Sequence, residues 1–158
     1  MENVMLRDVS AEDLVIFYEQ QLDADANRMA AFTVKEPADR AAFDERWERV
    51  LNDDTMMKKT VLYNGEVAGY VASFEMFGEQ TVGYWIGRKY WGKGIATLGL
   101  SQFLVDCQQR RPLYARAAKD NKPSIRVLEK CGFNIIGEDK GFSEARAVEV
   151  EEFILKLE

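Results

Sequence analysis

Apolar positions along the chain change period several times, and each change marks an element. The stretch NVMLRDV, Asn3 to Val9, reads as a short strand. Ser10 and Asp13 then offer a capping arrangement for a helix whose Leu14, Phe17, Tyr18 and Leu22 share one face. Residues 23–36 are poorly patterned. Pro37 opens a second helix, with Phe43, Trp47, Val50 and Leu51 as its helical stripe. Two β-rich runs then flank Asn64-Gly65, a pair suited to a tight hairpin because both central positions of the favoured turn take positive φ. Three successive antiparallel strands follow, the third ending at Gly87. A long helix from about Ile95 to Gln109 puts Ala96, Leu100, Phe103, Leu104 and Cys107 on one face and stops before Pro112. LYARAA is a strand and NKPSIRVLEKCGF a short helix capped by Gly132. FNIIGE and AVEVEEFILKLE close the chain as strands. In the last one the apolar positions move from Val148 and Val150 to Phe153, Leu155 and Leu157, which predicts a bulge near Glu151.

This alternation predicts one α/β domain over residues 1–158. At 158 residues a single core suffices, and Cys107 and Cys131 both read as core thiols. With no histidine in the chain the usual zinc and iron ligand sets cannot be assembled, so no metal is expected. There is no leader pattern and no apolar stretch of the ~20 residues that span a bilayer, which predicts a cytoplasmic protein without a membrane.

Charge sharpens the picture. The net charge of −6 argues against nucleic acid as a partner. Between Trp85 and Lys130, ten Lys or Arg face three Asp or Glu, a balance of +7 that leaves −13 for the remainder. A basic middle suits a polyanionic ligand, and acidic flanks suit a cationic one.

The middle also holds GYWIGRKYWGKGIAT, Gly83 to Thr97. Gly87, Gly92 and Lys93 satisfy the first seven positions of a nucleotide-binding P-loop, but Gly94 stands where a hydroxyl should hold magnesium. Phosphoryl transfer is therefore set aside. What remains is a loop of backbone N–H groups at a helix N-terminus, flanked by cations and shaped for phosphate.

This stretch resembles the acyl-CoA-binding motif of the GCN5-related N-acetyltransferases (GNAT), a Q/R-x-x-G-x-G/A segment following a bulged strand, with Lys89, Gly92 and Gly94 at its fixed positions. With NKPSIRVLEKCGF some thirty residues on, the chain resembles the branch that acetylates N-terminal amines of ribosomal proteins. The resemblance implies a GNAT fold: a mixed, mostly antiparallel sheet of six to seven strands flanked by about four helices, splayed between strands 4 and 5. It implies acetyl-CoA as co-substrate, its pyrophosphate cradled by the amides of Gly92, Lys93, Gly94, Ile95 and Ala96, with the Thr97 hydroxyl beside them. Trp85, Ile86 and Gly87 would offer backbone groups to the pantetheine arm. Asn121 would bond that arm, and Ser124 would sit near the sulfur and help protonate the thiolate. Asn121 and Ser124 also suit the start of a helix with Pro123 in its first turn. An acyl-cysteine at Cys131 is rejected, since no histidine activates it.

Relatives in that branch often carry a Glu two residues before the Gly-Tyr-Trp stretch to receive the amine's proton. Here that position is Thr81, and Glu75 and Glu79 on the same hairpin are the candidate substitutes. The leading reading is an amine acetyltransferase, monomer or homodimer, acting on a cationic amine or a protein N-terminus. A catalytically silent acyl-CoA sensor and an interaction module are the alternatives.

Overall fold

The computed structural model describes residues 3–158; Met1 and Glu2, part of the N-terminal stretch read for a leader, lie outside them. Strands β1 (Val4–Asp8), β2 (Met57–Tyr63), β3 (Glu66–Met76), β4 (Glu79–Ile86), β5 (Leu113–Ala118), β6 (Asn134–Ser143) and β7 (Val148–Leu157) form one sheet in the order β1-β2-β3-β4-β5-β7-β6. Helices α1 (Asp13–Gln21), α2 (Ala24–Ala30) and α3 (Arg40–Asn52) precede β2, while α4 (Ile95–Asp106) and α5 (Lys122–Lys130) flank β5 in sequence. Every neighbouring pair of strands is antiparallel except β4 and β5. This is the α/β architecture expected from the alternation of elements and from the family resemblance.

Local chemistry accounts for most boundaries. Asn64 and Gly65 take φ of 50° and 85° in the β2–β3 turn, and Asn64 Oδ1 accepts a hydrogen bond from the Asn3 N–H at 2.8 Å. The unpatterned stretch hides α2, whose N-cap is Asp23, accepting from the N–H groups of Asp25 and Ala26. With seven residues that helix is too short to show an apolar period. Its successor starts at Arg40 rather than at Pro37, because Asp39 caps it through the Ala42 N–H. Helix α4 ends at Asp106, three residues before the expected Gln109.

One face of the sheet packs Val61, Val71 and Leu155 against Leu100 and Phe103 of α4 and Leu128 of α5. The other carries Phe17, Phe43 and Trp47 of α1 and α3, stacked around Tyr70. The predicted bulge near Glu151 is absent: β7 pairs with β5 without a slip, and the irregularity falls in β6 between Ile135 and Gly137. Both faces of β7 are covered. Leu155 joins the main core, while Val150 meets Ala31 and Ala118 on the opposite side. The apolar positions therefore change parity with no change in backbone register.

Candidate functional site

The parallel pair β4 and β5 is held only at Thr81 opposite Tyr114, so the strands part toward Ile86 and Ala118. Gly87 N–H donates to Ala68 O on β3 at 2.9 Å. By the strand alternation Trp85 directs its backbone groups the same way, and those of Tyr84 and Ile86 point into the gap. There the Ile86 carbonyl accepts from Trp91 Nε1 at 2.7 Å, which ties the following loop to the open edge of β4.

A cavity of about 1050 Å³ runs through this gap. Of the residues singled out in the sequence, Trp85, Ile86, Gly92, Gly94, Ile95, Ala96, Thr97, Asn121 and Ser124 line it. Gly87, Lys89 and Lys93 are not among the lining residues. Gly87 packs under the end of the Gln20 side chain, whose Nε2 a Cβ there would meet at 2.6 Å, so that side chain would have to move aside for any other residue. The Lys89 ammonium sits 5.3 Å from the centre of the Tyr90 ring.

At the α4 end, Gly92 and Gly94 take φ of 77° and 75°, and the space a Cβ would fill at each is open. Gly94 is the N-cap of α4, with no side chain to satisfy the first amides of the helix. An exposed pair of left-handed glycines ahead of uncapped N–H groups fits a diphosphate. Buried Trp85 Nε1 also has no hydrogen-bond partner in the cavity wall, a donor left for a polar ligand. The sequence reading missed Arg126 and Lys130, which line the cavity from α5. Their spacing of four on a helix inside the basic segment was the available signal.

Asn121 caps α5, its side chain accepting from the Ser124 N–H at 3.4 Å. Ser124 Oγ lies 3.0 Å from the Tyr84 hydroxyl. Burial pushes the Tyr84 phenol up to about 12, although the bond to Ser124 pulls the other way, so it stays protonated across the physiological range. The Tyr84 ring packs against the main core, and its hydroxyl ends beside Ser124 in the cavity lining. Burial also raises the Cys131 thiol, which sits 3.6 Å from Thr97 O, an arrangement suited to packing rather than nucleophilic attack.

At the opposite end Thr81 lines the cavity and is buried, its hydroxyl turned to Glu79 O at 3.2 Å. Glu75 and Glu79 are exposed on the hairpin and do not line the cavity. The lining carboxylates among the described residues are Asp139 and Glu152, both bonded to Arg116 Nη1, at 2.9 and 2.7 Å. Nothing near Glu152 in sequence marks it, because it reaches the cavity only through the β5-β7-β6 strand order.

Residues 3–134 match the family model of the acetyltransferase (GNAT) domain, far more than half of the chain. The chain belongs to the GNAT family of acetyltransferases. No curated protein matches it in sequence. Among solved structures it is similar to Mycobacterium smegmatis RimJ in complex with CoA-disulfide, at 22% identity over 98% of this chain and 81% of that one, with a TM-score of 0.76. It is similar also to the spermidine N-acetyltransferase from Vibrio cholerae in complex with CoA and spermine, at 17% identity, 97% and 95% coverage and a TM-score of 0.77. A ribosomal-protein-alanine N-acetyltransferase from Brucella melitensis aligns at 20% identity over 96% and 98% of the chains, with a TM-score of 0.74. At such identities the likeness speaks for the fold.

Proposed function

We propose that this protein transfers the acetyl group of acetyl-CoA to a primary amine by direct attack of the amine on the thioester, and that the amine is an α-amine or another of low pKa. The observation that carries this reading is the continuity of the 1050 Å³ cavity. It joins the phosphate-shaped turn at Gly92–Thr97, the parted edge of β4, the Tyr84–Ser124 hydroxyl pair and a separate end lined by Glu152. The complexes of RimJ with CoA-disulfide and of the spermidine enzyme with CoA support the choice of donor.

Acetyl-CoA supplies an activated acetyl thioester. Around it the N–H groups of residues 92–96 bind the diphosphate, with the Thr97 hydroxyl beside them and Arg126 and Lys130 adding charge. Backbone groups of Tyr84 and Ile86 pair with the pantetheine arm as an added strand would. An N–H there also donates to the thioester oxygen as charge develops, a contact worth roughly 10²–10³-fold in rate. Ser124, hydrogen-bonded to the Tyr84 hydroxyl, gives its proton to the departing thiolate and takes in return the proton that the attacking nitrogen sheds as the amide forms, so that neither hydroxyl is left charged. Coenzyme A leaves as a weakly basic thiolate, so this help is modest.

The choice of amine follows from deprotonation. Presenting a neutral nucleophile at pH 7 costs about 1.4 kcal/mol for an α-amine of pKa ~8 and about 4.6 kcal/mol for a lysine of pKa ~10.4. No carboxylate stands at Thr81 to offset the larger cost. The same absence favours a second reading, an acyl-CoA sensor without turnover. Mixing the protein with acetyl-CoA and a panel of amines decides between them. Release of free thiol establishes the transferase, whereas tight binding without release establishes the sensor.

A further inference from the structure

On the side of the sheet that carries α1 and α3, the cavity has a wall of its own. Tyr70 and Trp85 stand opposite one another in the β3–β4 register, so both side chains leave the sheet on the face where Phe17 and Trp47 stack on Tyr70. Thr81 shares that face by the two-residue period of β4. This is the acceptor end, beside the position where a carboxylate base is lacking.

Arg46 of α3 lines this wall, and its charge is unmatched. Its guanidinium donates from Nη2 to Gln21 Oε1 at 3.0 Å, a neutral partner, and no carboxylate pairs with it among the described residues. The carboxylates of the cavity lining are already taken, since Glu152 and Asp139 both bind Arg116. A planar guanidinium with free N–H groups fits a carboxylate through two parallel bonds. Arg46 also acts on the Tyr70 phenol: burial raises that phenol, and the Arg46 charge pulls the other way. The phenol keeps its proton at neutral pH and is a second donor.

Buried polar groups in a folded chain normally find partners. Of those left without one among the described residues, Trp85 Nε1, Thr33 Oγ1 and Asn27 Oδ1 line the cavity. The first two can donate. Asn27 accepts: it is 5% exposed and commits its Nδ2 to Gln21 O and Asp23 O, and Gln21 is the residue that also holds Arg46. One wall thus combines a free cation, hydroxyl and indole donors, and a buried acceptor. That set matches a molecule carrying both a carboxylate and an N–H group.

We propose that Arg46 holds a carboxylate of the acceptor, so that the acetylated amine belongs to an acidic amino compound: a free amino acid, or a peptide end whose first residue is Asp or Glu. This rests on the transferase reading above and names its substrate class. The anchored group is the carboxylate and not the amine, which reaches the thioester neutral. Pairing that carboxylate with a guanidinium cancels the negative charge that would otherwise favour the ammonium, so Arg46 eases deprotonation at a site without a base. A polyamine has no group for Arg46 and brings like charge to it.

The test measures thiol release from acetyl-CoA with two matched pairs, the α-amides of Glu and Gln and then leucine and leucinamide, and with spermidine, each rate taken per neutral amine. One pair should favour its acidic member by at least tenfold in kcat/KM: the first if the carboxylate is carried on the side chain, the second if it is carried on the α-carbon. Arg46→Gln should cut that preference below threefold, mainly by raising the KM of the acidic member, with the KM for acetyl-CoA within twofold and the melting temperature near that of the parent. Arg46→Lys keeps the charge and loses the fork, so its preference should fall between the two, and it decides the matter if Arg46→Gln fails to fold. Indifference to the carboxylate in both pairs, a preference for spermidine, or Arg46 variants that keep the full preference or slow both members alike would overturn the proposal while leaving the transferase standing. Binding of acetyl-CoA with no thiol release from any amine would sink both.

Discussion

The two ends of the cavity are built in opposite ways. At the α4 end the proposed phosphate site is six consecutive residues, Gly92 to Thr97, and what they would present is mostly backbone. At the acceptor end Asn27, Phe32, Phe77, Arg116, Asp139 and Glu152 arrive from α2, two loops and three strands, and what they present is side chain. A diphosphate is the same in every acyl-CoA, so a local turn with fixed N–H groups can serve it. An acceptor is recognised by its own charge and shape, which requires groups placed by the whole fold.

The largest expected effect breaks the first of these ends. Gly92→Glu or Gly94→Glu puts a carboxylate where the phosphates would lie and demands positive φ from a residue that resists it. Acetyl-CoA binding should fall below detection by calorimetry, while circular dichroism stays near that of the parent because both sites are open to solvent. Unchanged affinity in either variant would mean that the turn does not hold phosphate.

Next in size is the choice between amines. The gap of about 3 kcal/mol in deprotonation predicts that an α-amine is acetylated more than a hundredfold faster than a lysine side chain at pH 7. Rates should rise steeply from pH 7 to 8.5. A preference for lysine, or a profile already flat above pH 7, would show that an efficient base serves the acceptor end.

A third effect concerns how the acceptor-side helices are fastened. Asp13 at the start of α1 is buried, and it accepts from Arg7 at 2.7 and 2.9 Å, from Thr60 at 2.6 Å and from the Ser10 N–H at 3.0 Å. Burial pushes its carboxyl up, but the Arg7, Ser10 and Thr60 hydrogen bonds outweigh that and hold it down at about 2. A depressed folded-state value contributes stability above the unfolded value of about 3.9, and that contribution disappears as pH falls toward 2. Asp13→Asn should cost about 2 kcal/mol in urea unfolding at pH 7 and flatten the decline between pH 4 and 2. An unaltered acid limb would show that other carboxylates govern it.

Smaller again is the hydroxyl pair. Ser124→Ala and Tyr84→Phe should each lower kcat by about tenfold with little change in KM for acetyl-CoA, the modest return expected from protonating a weakly basic thiolate. Asn121→Ala should weaken acetyl-CoA binding beyond the ~1 kcal/mol of stability lost with the cap. A fall in melting temperature alone would reduce both residues to their part in starting α5.

These contrasts explain what could be read before folding. The hairpin at Asn64-Gly65, the stripe of α3 and the glycine turn announce themselves because each depends on residues a few positions apart. The short α2 could not be read, since seven residues under an Asp cap carry no period. Glu152 was hidden for a different reason: it neighbours Asp139 and Ala118 only through strand pairing. Even the parity change in β7, taken as a bulge, comes from two different surfaces covering its two faces, which no local pattern records.

The smallest expected effect returns to the hairpin carboxylates. Glu75 and Glu79 pair with Gln80 and Met76 across the β3–β4 hairpin, and both stand in solvent outside the cavity lining. A base must come within hydrogen-bond reach of the proton it takes, directly or through one water. Neither carboxylate meets that condition with the hairpin as it stands. What remains to them is long-range attraction of a cationic amine, and at physiological ionic strength that is screened over about 8 Å. Glu75→Gln and Glu79→Gln should therefore change kcat/KM by less than twofold at 0.15 M salt, with an unaltered pH profile. The double variant should show its deficit mainly at low ionic strength and mainly in KM. A loss of fivefold or more in kcat, with the pH profile displaced upward, would show that the hairpin folds over the acceptor during turnover and brings a carboxylate to the position where Thr81 lacks one.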